Sequence, residues 1–383
     1  MSTPATAIEP NHYAWMSKAI QLANRGRYTT RPNPNVGCVI VKDSVLVAEG
    51  WHYRAGEAHA EVHALNRAGQ QAQGADAYVT LEPCSHHGKT GPCCEALIEA
   101  GIARVIYGMQ DPNPLVAGRG LSRMREQGIE VIGPVMEAES QALNQGFICR
   151  MRNGRPWVRA KLAMSLDGRT AMADGTSQWI TAAAARADVQ KWRARSGAII
   201  TGIGSILADN SRLSLRPQAL LLDNRDDIIQ RPPLRVVLDS RLRISLDAAI
   251  LEPDAPTLII TSDVAYEQQL VHANALTAPE HISLLALPLS AGTLPLAQVL
   301  KYLADEHQCN DVLIEAGATL SGAFWQQGLI DELIIYQAPV LMGSEGRPLI
   351  TLPIHSMAQK QPLTIIDQRQ IGQDWRIIAH PTQ

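Results

Sequence analysis

Apolar residues recur along the chain with two alternating periods, and the alternation predicts helices and strands in turn. Residues 12–26 carry apolar groups at Trp15, Met16, Ala19, Ile20, Leu22 and Ala23. That spacing makes an amphipathic helix, with Gly26 as its stop. Residues 36–41 and 45–47 are short valine-rich runs around the polar Lys42-Asp43-Ser44, which predicts a hairpin. The Pro-Asn-Pro-Asn lead-in at 32–35 reads as an irregular turn that sets amide side chains at a strand's start. His59, Val62, His63, Leu65 and Asn66 then follow helical spacing up to Gly69, and residues 77–81 form a strand. Pro92 suits the first turn of a new helix that stops at Gly101. Strands at 104–109 and 129–132 bracket a helix at 121–127, and one helix from 137 to 152 closes the series.

The basic stretch RMRNGRP reads as a linker, after which a second series begins. Its strands are VRAKLAMSLDG, GAIITGIG, LRVVLDS, TLIITS, DVLIEAG and DELIIYQAPVL. Its helices are AAARADVQKWRAR, AQVLKYLADEH and ATLSGAFWQQG. Residues 216–233, with four Asp or Asn residues and a proline pair, read as a mobile surface loop. Strands alternating with helices in this way predict two α/β domains, residues 1–152 and 153–383, each a sheet with helices on both faces.

Composition narrows the function. A hydrophobic fraction of 46% over 383 residues is enough for two real cores. A net charge of -3 gives no general attraction for nucleic acid. The first residues lack a basic and then apolar signal pattern, and no apolar run is long enough for a membrane span. We therefore expect a cytoplasmic protein without membrane or nucleic-acid partners. Three of the six cysteines crowd one segment beside histidines, which points to metal rather than disulfides.

That segment holds His59-Ala60-Glu61, Pro83-Cys84 and Pro92-Cys93. Hydrolytic zinc sites use three protein ligands and leave one position open for water. His59, Cys84 and Cys93 supply such a set, and Glu61 is placed as the proton shuttle of the nucleobase-deaminase signature. Cys93 falls at a helix start, where the dipole favours a thiolate. That signature ends in Pro-Cys-x-x-Cys, whereas eight residues separate Cys84 from Cys93 here, so Cys94 or His86 could compete as ligands. A structural zinc knot would want a fourth ligand and no Glu. His63 imitates a two-His helix motif but lacks the order of a zinc protease, and reads as a hydrogen-bonded helix residue.

PNPNVGCVIV, HAEVHAL and above all VTLEPCSHHGKTGPCC resemble the bifunctional riboflavin-biosynthesis deaminase–reductase family, whose form includes the wide Cys–Cys spacing. The likeness continues through QDPNPLVAGRG, KLAMSLDGRTA, SQWIT, ILADN, VVLDS and EAGATLSGAF. It implies a cytidine-deaminase-like N-terminal domain and a dihydrofolate-reductase-like C-terminal domain. By resemblance, the first removes the 2-amino group of 2,5-diamino-6-(5-phosphoribosylamino)pyrimidin-4-one. The second reduces the ribosyl group of that product to ribityl with NADPH, giving 5-amino-6-(5-phosphoribitylamino)uracil. It implies Zn2+ on His59, Cys84 and Cys93, and substrate contacts at Asn33, His52 and Lys89. Lys89 suits a phosphate chemically. A small phosphorylated pyrimidine is the expected partner, and the protein is expected to be a homo-oligomer, dimer or tetramer.

In the second half the residues alone say less. Gly202-x-Gly204 is an incomplete dinucleotide fingerprint. Glu315-Ala316-Gly317 leads from a strand end into a helix start, which suits a pyrophosphate, although a plain strand–turn–helix reads the same way. Resemblance assigns Ala163, Trp179, Ser205, Asp209, Ser240 and the run Gly317, Ala318, Thr319, Leu320, Ser321, Gly322 and Ala323 to the cofactor. It assigns Ser177, Arg193, Leu213, Arg216 and Glu315 to the ribosyl substrate. Arg193 and Arg216 fit a phosphate, and Ser240 with Arg241 fits the 2′-phosphate of NADPH. Asn210-Ser211-Arg212 lacks a proline the family usually has after the aspartate. The nicotinamide carries the chemistry, so no catalytic acid is named in this half.

Two other readings stay open. A nucleic-acid editing deaminase with an accessory domain conflicts with the net charge and the Cys–Cys spacing. A zinc-stabilised scaffold would bind ligands without turning them over.

Overall fold

The structure, a computed structural model, describes residues 9–85, 91–114 and 116–382. It divides into two compact units, the first ending at Gly154 and the second starting at Arg155.

The first unit is a five-stranded sheet. Its strands are β1 (Gly37–Lys42), β2 (Val45–Trp51), β3 (Asp76–Val79), β4 (Arg104–Tyr107) and β5 (Glu130–Ile132), in the order β2-β1-β3-β4-β5. β2, β1 and β3 run antiparallel, and β3, β4 and β5 are parallel. Alternate residues of a strand face opposite sides, so both faces need cover. Val39 and Val41 of β1 pack against Met16, Ala19 and Leu22 of α1 (Pro10–Ala23). Cys38 and Ile40 meet the other layer, built from α2 (Ala60–Ala68), α3 (Cys93–Glu99) and α4 (Arg119–Glu126). Here the backbones approach closely: a Cβ on Gly50 would lie 2.4 Å from the Ala60 oxygen.

The predicted single helix at 137–152 is two helices, α5 (Glu137–Leu143) and α6 (Gln145–Asn153). Between them Asn144 leaves helical geometry, and its side chain bonds both the N–H and the carbonyl of Asn35 at 2.7 and 2.9 Å. The partner lies far away in sequence, so helical periodicity carries no trace of the break.

The second unit is a nine-stranded sheet, ordered β11-β10-β9-β8-β12-β6-β13-β16-β15. In chain order it comprises β6 (Trp157–Met164), β7 (Arg169–Ala171), α7 (Ala183–Arg195), β8 (Ala198–Gly202), α8 (Ile203–Asp209), α9 (Arg225–Ile229) and β9 (Leu234–Leu238). Then follow β10 (Thr257–Ser262), α10 (Asp263–Gln268), α11 (Leu270–Leu276), β11 (Ile282–Leu287), α12 (Leu296–Asp305), β12 (Asp311–Ile314), α13 (Ala318–Gln326) and β13 (Glu332–Gln337). The chain ends with β14 (Arg347–Pro348), β15 (Leu363–Ile371) and β16 (Asp374–Pro381). All pairs from β11 to β13 are parallel, and β16 and β15 add an antiparallel edge. α12 and α13 cover one face, while α7, α8, α10 and α11 cover the other. β7 and β14 pair as a separate two-stranded ribbon.

Residues 216–233 are more anchored than a bare loop. They contain the turn Pro217–Ala219 and α9, and Leu220 and Ile228 are buried as pegs. No helix among the described residues is long and apolar enough to cross a membrane.

Candidate active sites

In the first unit, β3 and two helix starts converge. His59 is the extended residue just before α2, Cys93 is the first residue of α3, and Cys84 lies in the loop after β3. The His59 Nδ1 is 3.2 Å from the Cys93 sulfur and 3.7 Å from the Cys84 sulfur. Zinc–sulfur and zinc–nitrogen bonds of ordinary length at tetrahedral angles put such donors roughly 3.5–3.8 Å apart. The observed separations straddle that range, and all three donor atoms lie within 4.8 Å of one another, so the set fits zinc.

Of the two cysteines, the electrostatics favour the thiolate at Cys84; at Cys93 they oppose the thiolate expected from its helix start. The Cys93 thiol, the His59 ring and the Cys93 main-chain N–H, 3.3 Å from the sulfur, hold the Cys84 thiol well below the ordinary range. Sharing a proton with Cys84, and then burial, push Cys93 up. The interaction with Cys84 raises His59 above its usual value. Glu61 is buried in the first turn of α2; burial, and next the charge of Cys84, push its carboxyl up to about 7. A proton shuttle works best when its pKa lies near the working pH.

Of the competing ligands, Cys94 is buried in the core under the sheet, and its N–H donates to the Cys84 carbonyl at 3.2 Å. Among the described residues, the cluster consists of His59, Cys84 and Cys93. His86 and Lys89 lie outside the described residues. His63 departs from expectation: its Nε2 is buried and has no hydrogen-bond partner among the described residues.

Asn33 and His52 form one unit beside this cluster. The His52 Nδ1 is 3.0 Å from the Ala58 carbonyl, which can only accept, so the Nδ1 carries the proton. Burial lowers His52 to about 4, which leaves the Nε2 as a lone pair at neutral pH. The Asn33 Nδ2, 3.1 Å away, is therefore the donor, which makes the Oδ1 the acceptor end of that amide. The His52 ring meets the His59 ring edge-on, with centroids 5.2 Å apart.

The second unit holds a cavity of about 1330 Å³, larger than a pocket for one drug-sized ligand. Ala163, Ser177, Trp179, Ser205, Asp209, Ser240, Leu213, Arg216 and Glu315 all line it. So do Gly317 to Leu320 and Ala323, around the N-terminus of α13. Ser321 and Gly322 lie off its wall. Ser321 is fully buried, and a Cβ on Gly322 would sit 2.2 Å from the Thr351 oxygen. Asn210 adopts a left-handed conformation after α8, with φ 45°, and its side chain accepts from the Ala249 N–H. That conformation defines the loop path where the family's proline is missing, because asparagine tolerates it.

Arg193 also lines the cavity, and three of its five N–H donors are used within the protein. Its Nε and Nη2 donate to the two Glu315 oxygens at 2.5 and 3.0 Å, and its Nη1 donates to the Ser214 carbonyl. Burial works to raise the Glu315 carboxyl, but Arg193 and then Lys161 outweigh it and hold the group below its usual value. Lys161, on β6, has no role assigned by motif or resemblance. Its ammonium is 4.0 Å from Glu315, and burial lowers its pKa, aided by Arg193 and opposed by Glu315. The signal was a lone lysine inside the apolar strand VRAKLAM.

Residues 9–109 match the cytidine and deoxycytidylate deaminase zinc-binding region, and residues 156–376 match the RibD C-terminal domain. The riboflavin biosynthesis protein RibD of Escherichia coli (strain K12) is 48% identical, over 94% of this chain and 96% of its own. Its Haemophilus influenzae counterpart is 43% identical over 96% of both. Among solved structures, Acinetobacter baumannii RibD superposes with a TM-score of 0.88 at 47% identity, covering 97% of this chain and 99% of that one. The Thermotoga maritima diaminohydroxyphosphoribosylaminopyrimidine deaminase/5-amino-6-(5-phosphoribosylamino)uracil reductase does so with a TM-score of 0.82 at 31% identity, with the same coverage.

Proposed function

The chain belongs to the RibD family of riboflavin biosynthesis, and from that premise we propose how its two units divide the work. It is a bifunctional zinc-dependent deaminase and NADPH-dependent reductase. The first unit removes the 2-amino group of the phosphorylated diaminopyrimidine, and the second reduces the ribosyl chain of the product to ribityl. The observation that carries this reading is the meeting of His59, Cys84 and Cys93 beside a buried Glu61.

His59, Cys84 and Cys93 would hold zinc, which supplies Lewis acidity and lowers the pKa of water toward neutrality. Glu61 takes a proton from the attacking water and hands one to the departing ammonia. The Asn33 Oδ1 accepts from the ring's amino group, and His52 fixes the orientation of that amide. Lys89 is assigned to the substrate phosphate on charge alone.

In the second unit the cofactor occupies the cavity along α13, with its pyrophosphate at the free N–H groups after Gly317. Ala163, Trp179, Ser205, Asp209 and Ser240 complete its wall, and the nicotinamide supplies the hydride. Reduction also consumes a proton. Lys161, made more acidic by burial, is the donor, and Glu315 orients it. The substrate phosphate falls to Arg216 and to the remaining N–H groups of Arg193, which Glu315 orients, with Ser177 and Leu213 shaping the ribosyl pocket.

The protein is cytoplasmic and self-associates: β15 is an exposed edge strand carrying Leu363, Ile365 and Ile366, a template for pairing with a second copy. The reading predicts ammonia release from the diaminopyrimidine nucleotide that stops on zinc removal, and NADPH oxidation only when the deaminated product is supplied. NADPH oxidation without that product, or deamination untouched by chelation, overturns it.

A further inference from the structure

Glu82, two residues before Cys84, is only 2% exposed, although it is an ionisable residue with no part in the chemistry above. Its carboxylate is fully occupied. The Oε2 accepts from the main-chain N–H groups of Asp111 and Gly118 at 3.2 and 2.9 Å, and the Oε1 from those of Gly120 and Leu121 at 3.1 and 3.4 Å. Its own N–H donates to the Met109 carbonyl at 2.9 Å. Four donors use the lone-pair directions of a carboxylate, so nothing is left to meet a ligand. Pro83 is pressed against the same helix start, since a Cβ on Gly120 would lie 2.1 Å from the Pro83 oxygen.

We propose that Glu82 is the positioning residue of the zinc centre. By gathering the loop from Asp111 and the first turn of α4, it locks the Pro83-Cys84 turn and keeps the Cys84 sulfur within reach of His59 and Cys93. The proposal rests on the zinc reading above. Retention of zinc therefore depends on a side chain that never touches it.

The test uses the full chain, loaded with zinc and challenged with a chelator while release is timed. In Glu82→Gln an amide NH2 replaces one acceptor oxygen and faces two N–H donors; in Glu82→Ala all four donors are abandoned. Gly120→Ala pushes on Pro83 from the other side. Outer partners of metal ligands are worth about 10–100-fold in affinity, so each variant should lose zinc faster by that order. The deaminase kcat should fall with KM unchanged, and NADPH oxidation by the second unit should stay at the wild-type rate. Cobalt(II) substituted for zinc should show altered thiolate charge-transfer bands in all three variants. Wild-type zinc retention in both Glu82 variants overturns the proposal. Zinc loss that coincides with loss of the first unit's thermal transition in Glu82→Gln also overturns it, since Glu82 would then serve the fold alone. A wild-type chain that binds no zinc defeats the zinc reading itself.

Discussion

Arg193→Met tests the electrostatics of the reductase cavity. The substitution keeps much of the side chain's bulk and removes a guanidinium that meets both Glu315 oxygens, at 2.5 and 3.0 Å. Both side chains are about nine-tenths buried, with exposures of 11% and 9%, so solvent does little to compensate. Breaking one side of a buried pair costs about 3–5 kcal/mol. Lys161, 4.0 Å from Glu315, remains as a partial partner and places the cost near the lower end. For a unit of this size, each kcal/mol shifts the melting temperature by about 2–4 °C, so a drop of roughly 6–12 °C is expected.

The pH dependence makes the test specific. In the native protein the Glu315 carboxyl sits below its usual value. Its contribution is therefore complete above the unfolded pKa of about 4.3 and is lost as pH falls through the folded value. In the variant, burial wins and the folded pKa rises, so the penalty stands at high pH and is relieved as pH falls toward the unfolded value. The melting-temperature gap between the two proteins should be widest near pH 8 and narrow toward pH 5. Calorimetry of both full-length proteins across that range is the assay. A gap that is absent, or constant with pH, refutes the argument.

Three further outcomes follow from the same geometry. Lys161→Met should cut reductase turnover by about 10²–10⁴-fold, the usual range for a general acid, with NADPH affinity unchanged in a binding titration. Gly50→Ala should lower deaminase activity and destabilise the first unit by about 1–3 kcal/mol in a denaturant melt, because its Cβ would meet the Ala60 oxygen at 2.4 Å in the turn bearing His59 and Glu61. Arg216→Ala should raise KM for the deaminated nucleotide while leaving NADPH binding in place, read by steady-state kinetics and titration.

Much of this molecule is legible in its sequence where the signal is local. The helix Ala183–Arg195 falls on the predicted residues, and the β1–β2 hairpin turns at its polar tip. The zinc donors are legible because their chemistry restricts the residue types and because a proline precedes each cysteine. What stays hidden is tertiary. Asn144 breaks a helix to bond Asn35, and Glu82 looks like any strand-end acid until the loop from Asp111 folds back onto it. The hold of Glu315 on Arg193 cannot be read from spacing, and Lys161 gains meaning only from the same carboxylate. The exposed edge β15 and its neighbour β16 carry mixed polar and apolar residues, which give the period-two signal little contrast.

The central claim is that His59, Cys84 and Cys93 form a hydrolytic zinc site worked by Glu61. Zinc content per chain, measured alongside ammonia release from the diaminopyrimidine nucleotide, in wild-type protein and in Glu61→Gln, tests it most directly. The account predicts one zinc per chain in both proteins, with ammonia release reduced about 10²–10⁴-fold in the variant. Equal zinc content with undiminished ammonia release in Glu61→Gln, or ammonia release from wild-type protein that carries no zinc, would contradict it.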